Sequence, residues 1–380
     1  MSDRLAKLRA AFPVAASWIY FNHAAVCPLA QPVADAVRAF LDECLHNGST
    51  GWKQWEEQKT RVRSQAARLL GCTAAEVALS TSTSQGLINV AEGLALSPGD
   101  EIVVIQDDFP ANQIPWYRQE RRGARIVVVP RQNGRVELSA ILDRVTPATR
   151  LVAVPFVLYD SGQRLDLVAL GQALADHPAL FCVDAIQGLG AFPLDMTAAH
   201  IDVLSADSHK WMLGMEGIGL FACRTEHLDK RDSPLTSWLS MAEPFAPFRP
   251  GKPLRPDAAR FEYAALPTME IFGLGACLEL LLDTGIETMA QAILGLTDRL
   301  SAGLTEQGWA VSSPRERPDE RSGIVLATPP AGSPLGDVDT VVARLESRGV
   351  SVVSRAGAVR FSPHAWNTLD EVERVLELLR

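Results

Sequence analysis

Residues Ser205 to Leu220 read Ser-Ala-Asp-Ser-His-Lys-Trp-Met-Leu-Gly-Met-Glu-Gly-Ile-Gly-Leu, and this stretch decides how the rest of the chain is read. Its lysine, Lys210, follows an apolar run (Ile201, Val203, Leu204) that reads as a buried strand. It precedes a loop holding Gly214, Gly217 and Gly219, where the backbone can approach a ligand closely. Most lysines are solvated. One held among Asp207, Ser208, His209 and Trp211 is a candidate for an amine whose pKa falls until it can attack a carbonyl. The alternative is a surface lysine after a strand.

The composition narrows the partners. A chain of 380 residues, 47% hydrophobic, can bury a large core, and two domains is the expectation. A formal charge of -9 without long basic blocks argues against nucleic acid or an anionic membrane surface and for a small molecule. The six cysteines (Cys27, Cys44, Cys72, Cys182, Cys223, Cys277) lie far apart, which suits a reducing, cytoplasmic compartment. No run reaches transmembrane length, and Pro13 breaks the short stretch that loosely imitates a signal peptide. Pro314 to Ser322, rich in Arg, Glu and Pro, reads as an exposed loop.

Working outward, Val77 to Leu79 reads as a strand, followed by a hydroxyl-rich turn, Ser80 to Gln85, before an apolar helix. The first-turn amides of that helix, with the Thr83 and Ser84 hydroxyls, outline an anion site; an ordinary N-cap is the commoner use of such a turn. Glu101 to Ile105, Arg125 to Val129 and Leu151 to Val157 alternate with helical or polar stretches, which implies a mainly parallel, doubly wound α/β sheet. Leu180 to Val183 is a further buried strand, and it ends at Asp184. Ligands in such sheets sit at the carboxyl ends of strands, and Asp184 stands 26 positions before Lys210, which leaves room for one crossover to bring both to the same edge. Beyond about residue 260 the pattern changes to strands and helices of a small α+β domain, closed by a capping box at Thr368 to Glu371. The expected division is an N-terminal arm over 1–20, a large domain over 21–260 and a small domain over 261–380.

In order and spacing these motifs resemble the class V aminotransferase and cysteine desulfurase family, pyridoxal phosphate (PLP) enzymes of fold type I. The resemblance covers nearly the whole chain. It implies that Lys210 forms the Schiff base with the cofactor and that Asp184 pairs with the pyridine nitrogen. It implies phosphate contacts from Thr83, Ser84, Ser208 and His209, a place for Asp207 among the cofactor-binding residues, and a hydrogen bond from Gln187 to the ring hydroxyl oxygen. Asp107 to Trp116 looks like the loop that covers the ring, with Phe109 stacking on it. On the substrate side it implies Asn22 and His23 in the N-terminal loop, and Arg355 and Arg360, with Arg360 gripping the α-carboxylate in two hydrogen bonds. It also implies a homodimer and no metal.

Three departures narrow the reaction. Phe109 stands where desulfurases carry a histidine, so ring stacking is kept and a proton shuttle is lost. Only Ala356 to Val359 separates Arg355 from Arg360, where desulfurases place a loop with their catalytic cysteine, and no cysteine follows Cys277. Glu216 stands where a threonine is usual, and a carboxylate cannot donate to phosphate. The expected activity is therefore an aminotransferase acting on a small amino acid, with a PLP lyase or epimerase, similar to the cysteine lyase and isopenicillin epimerase branches, as the alternative.

Overall fold

The structure is a computed structural model that describes residues 2–228, 234–247 and 249–380. Numbered in chain order, β1 is Ile19–Tyr20, β2 Val77–Ser80, β3 Glu101–Ile105, β4 Arg125–Val129, β5 Thr149–Pro155, β6 Leu180–Asp184, β7 Val203–Asp207 and β8 Gly219–Cys223. Strands β2 to β8 form one sheet in the order β2-β8-β7-β6-β5-β3-β4. Five neighbours, β4, β3, β5, β6 and β7, run parallel, while β8 is antiparallel to both β7 and β2. The sequences of β3, β5, β7 and β8 are near-continuous apolar runs because helices cover both faces of the sheet; β4, at the edge, is partly exposed.

This topology creates one edge on which chemistry can gather. The chain runs outward from β3 to β4, then returns to β5 and proceeds the other way through β6 and β7. The register sets Pro155 beside Asp184, Asp184 beside Ser205, and Asp207 beside Gly219, which in turn faces Ser80. The carboxyl ends of β2, β5, β6 and β7 thus share one rim. The helix Thr83–Gly93 rises from it, pressed so closely on β7 that a Cβ on Gly86 would lie 2.2 Å from Ser205 Oγ.

The second sheet holds β9 (Ala310–Val311), β10 (Val325–Thr328), β12 (Val353–Arg355) and β13 (Ala358–Phe361), all antiparallel in the order β12-β13-β10-β9. Between them in sequence, β11 (Val350–Ser351) leaves this sheet and pairs in parallel with β1. Leu296, Leu300 and Leu304 of the helix Ile286–Glu306 pack with Val372 and Leu376 of the C-terminal helix Leu369–Leu378 in a core that also takes in Phe21. Thr368 caps that last helix with Glu371 in a complete capping box.

The segment Pro314 to Ser322 is the expected exposed loop over Glu316 to Asp319, but it is anchored at both ends. Arg315 pairs with Asp298, Arg135 pairs with Glu316 and Glu320, and Arg317 pairs with Glu137 and Glu320. Glu320 and Ser322 are buried. A charged composition reads as solvated when its partners are distant in sequence.

Candidate active site

Lys210 comes off the end of β7 into a loop that closes back on the strand: Gly214 N donates to Ser208 O at 2.9 Å and Ser208 N to Ile218 O at 3.0 Å. Leu213 sits at φ 62°, strained for a side chain of its type. Two buried thiols brace this turn, Cys27 donating to Gly214 O at 3.2 Å and Cys277 to Leu213 O at 3.3 Å. So held, the Lys210 side chain is 9% exposed. Burial brings its amine down to about 8, opposed by Asp184 and Asp207 and helped by Arg360 and Arg355. Those four residues define the site's field, and all four were singled out in the sequence.

Asp184 is buried at the end of β6. Desolvation pushes its carboxyl up to about 6 against the pull of the Ile186 amide, which donates to Oδ1 at 3.1 Å, and of Lys210. Among the described residues Oδ2 takes no hydrogen bond, so a donor on a ligand could reach it. The Gln187 side chain spans Ala24 O (3.0 Å) and Trp211 Nε1 (2.9 Å), which leaves its second amide hydrogen for a ligand.

Near the helix N-terminus, Ser82 is the N-cap, accepting from Gln85 N at 3.1 Å, while Thr83 and Ser84 begin the first turn. Cap and anion site therefore coexist one residue apart. Thr83 Oγ1 accepts from Asp207 N at 2.8 Å and keeps its own hydrogen. Asp207 Oδ1 in turn accepts from the His209 backbone amide at 3.3 Å and lies 2.8 Å from His209 Nδ1, although the angle there makes no hydrogen bond. Thr83, Asp207 and His209 are thus one linked group, with the first-turn amide of Ser84 beside them.

Two expected site residues lie elsewhere. Ser208 is fully buried and spends its only hydrogen on Met215 O at 2.8 Å, so it cannot also donate to a phosphate. His23 is a core histidine. It is 0% exposed, its Nδ1–H donates to Ser362 O at 3.1 Å and its Nε2 accepts from Trp366 at 3.1 Å. Burial and neighbouring His364 hold its pKa well below the usual range, so it is neutral and saturated. Its neighbour Asn22, bridged by backbone to Ser362, keeps a buried Oδ1 without a partner.

On the opposite wall, Arg360 is 2% exposed in β13. Its Nη1 donates to Tyr159 O at 3.3 Å, and its buried Nε has no partner. Burial, reinforced by Arg355, brings it down to about 10. Arg355 is exposed at the end of β12, its Cζ 6.0 Å from the Tyr159 ring centroid. Phe109 meets Tyr159 edge to face at 5.3 Å, and the Lys210 Nζ stands 5.6 Å from its ring centroid.

One residue of the site, Tyr159, carried no signal in the sequence, and another, Asp108, lay in the ring-covering loop without a role of its own. Tyr159 sits in an irregular stretch after β5 and meets Arg360 across 201 positions. Asp108 is buried and raised to about 7, by desolvation first and then by the Asp184 charge. It accepts from Phe109 N at 2.7 Å and from Asn112 at 2.9 Å, which fixes the turn that presents Phe109.

An orphaned arginine nitrogen, a desolvated amine, a buried carboxylate with one free oxygen and a helix N-terminus with a linked histidine make a donor set that fits a phosphorylated, aldehyde-bearing pyridine ring. The comparisons agree. The sequence matches the Aminotransferase class-V family over residues 19–375, and the chain belongs to that family of PLP enzymes, with the fold type I architecture. A Bacillus subtilis (strain 168) protein named as the uncharacterized aminotransferase YcbU is 25% identical over 349 residues, covering 92% of this chain and 90% of that one. The apo structure of a cysteine desulfurase from Thermococcus onnurineus NA1 superposes with a TM-score of 0.88 at 25% identity, covering 98% and 96%. A structure of C-DES with glycine covalently linked to its PLP cofactor gives a TM-score of 0.89 at 23% identity, covering 98% of each chain, a likeness of fold.

Proposed function

We propose that this class V enzyme is an aminotransferase for a small amino acid, with Lys210 as the residue that both anchors the cofactor and moves the substrate proton. The observation that carries the reading is the Lys210 amine, brought down to about 8 on the same rim as Asp184 and facing the buried Arg360. PLP, when bound, supplies an electron sink conjugated with the substrate Cα. The chain's own side chains do the rest. Asp184 would keep a proton on the ring nitrogen, and the ion pair so formed would lower its carboxyl from the value of about 6 that it has without that partner. Thr83, the Ser84 amide and His209 would receive the phosphate. Phe109 covers the ring, and Gln187 donates its second amide hydrogen to the ring hydroxyl oxygen. Arg360 would fix the α-carboxylate and so aim the Cα–H bond at Lys210 Nζ, which as a free amine would take that proton and deliver it to the cofactor carbon.

Against desulfuration stands the hairpin between β12 and β13. Ala356 (φ 50°) and Gly357 (φ 74°) close it as a two-residue turn, leaving no loop to carry a mobile thiol. Burial pushes Cys27 and Cys72 up to about 12, so neither supplies a thiolate. Phe109 favours transamination over elimination, because a phenyl ring cannot protonate a leaving group. Exposed Leu41, Leu45 and Trp52 on the helices Gln31–Asn47 and Trp52–Leu70 support a homodimer. No disulfide joins the described cysteines, which supports a cytoplasmic location; no described helix is long and apolar enough to cross a membrane.

The test is a visible-absorption titration of the holoenzyme with a panel of L-amino acids. An aminotransferase converts the lysine-linked band to the pyridoxamine form, and a 2-oxo acid restores it. Persistence of the band while ammonia, sulfide or the D-amino acid accumulates would replace this reading with the lyase or epimerase one.

A further inference from the structure

The site carries more positive charge than one α-carboxylate requires. In the antiparallel register of β12 and β13, Arg360 lies opposite Val353 and Arg355 opposite Ala358. The two arginines are therefore on one face of the sheet as diagonal neighbours, a separation of roughly 7–8 Å. Both meet the same residue, Arg360 through the Tyr159 carbonyl and Arg355 through the face of its ring. Like charges so placed repel, and among the described residues neither forms an ion pair with an acid.

The nearby carboxylates are engaged elsewhere. Asp160 gives both oxygens to Arg131, at 2.8 and 2.9 Å. Asp108 accepts from Asn112 and the Phe109 amide, and Asp184 faces Lys210. A fold that sets two guanidiniums side by side and withholds every internal counter-ion leaves that part to a ligand. Arg355 is held over an aromatic face yet open to solvent, as a recognition group is, whereas an arginine with a purely structural role would be buried against an acid.

We propose that Arg355 binds a second carboxylate on the substrate, so that the enzyme takes dicarboxylic amino acids of the aspartate and glutamate class. The inference rests on the transaminase reading above, with Arg360 taking the α-carboxylate. The buried arginine receives the group next to the reacting carbon, and the exposed one receives the side-chain carboxylate at the mouth. Tyr159, which touches both arginines, and Phe109 edge to face with it offer apolar surface for the intervening methylenes. An alkyl side chain would leave Arg355 without a counter-ion and gain nothing from it.

Binding is measured on the holoenzyme in two ways: calorimetry with the unreactive pair glutarate and butyrate, and spectral titration with L-aspartate, L-glutamate, L-alanine and L-2-aminobutyrate. Wild type is expected to favour the dicarboxylic member of each comparison by at least about tenfold. Arg355→Gln is expected to bring that ratio close to one, and Arg355→Lys to restore part of it. Equal affinities in wild type, or an Arg355→Gln variant that weakens both classes in proportion and so keeps the ratio, would overturn the proposal while leaving transamination standing. A cofactor-loaded wild type that responds to none of these compounds overturns the transaminase reading and the proposal with it.

Discussion

Replacing Arg360 with methionine should make the protein more stable and less able to bind carboxylates. The side chain is 2% exposed, donates one hydrogen bond of 3.3 Å, and has an unpartnered Nε. Burial and Arg355 hold its pKa at about 10. The gap to an ordinary guanidinium corresponds to about 3 kcal/mol by which the fold disfavours the charged form. Methionine fills much of the same volume without the charge, and the lost hydrogen bond gives back about 1 kcal/mol. The net expectation is a gain of about 2 kcal/mol, read as a higher urea midpoint at unchanged slope. The sign with pH follows from the direction of the shift. A base whose folded pKa is depressed destabilises the fold at every pH below that value, and the penalty fades only as pH rises beyond about 10, so the gain should be level between about pH 6 and 9. In the same variant, protection of the holoenzyme by carboxylic ligands should vanish. A loss of stability greater than about 1 kcal/mol, with an unchanged slope, would mean that the guanidinium is a structural group with a partner inside the chain.

Two further outcomes test the site's electrostatics and its boundaries. With the Lys210 amine at about 8, the rate at which added PLP regenerates the visible band in cofactor-free protein should rise about tenfold from pH 7 to 9 and then level; a rate still climbing in proportion to hydroxide beyond pH 9 would mean that the lysine is solvated. His23→Ala should cost about 2–4 kcal/mol in denaturant, because it opens a cavity and strands Trp366 Nε1, while the affinity of the folded enzyme for amino acids stays within about twofold; a selective loss of affinity at unchanged stability would return His23 to the substrate pocket.

The parts of the site legible in the sequence are those whose chemistry contradicts their surroundings. Lys210 and Asp184 follow strands too apolar to tolerate a charge without purpose, and strand ends in a parallel sheet converge by topology, so their meeting across 26 positions could be anticipated. His23 and Ser208 misled for the converse reason. A polar residue beside a site motif has the same local sequence whether it faces the ligand or the core, and only its partners, Ser362, Trp366 and Met215, decide. Tyr159 lies in a stretch without periodicity and reaches the site through contacts with Arg360 and Arg355, about 200 positions away. The charged run Pro314 to Ser322 was legible in part: Glu316 to Asp319 are exposed, while its ion pairs reach back to Arg135, Glu137 and Asp298. The missing desulfurase loop, by contrast, could be counted directly, and the two-residue hairpin at Ala356 and Gly357 is what so short a connection must form.

The most direct measurement is to reduce the PLP-loaded protein with borohydride, digest it, and locate the pyridoxyl group by mass spectrometry. The label is expected on the peptide containing Lys210, and none on a Lys210→Ala variant that still binds the cofactor. Label on another lysine, or label that persists in the variant, would contradict the claim that the strand-end lysine opposite Asp184 is the one that carries the chemistry.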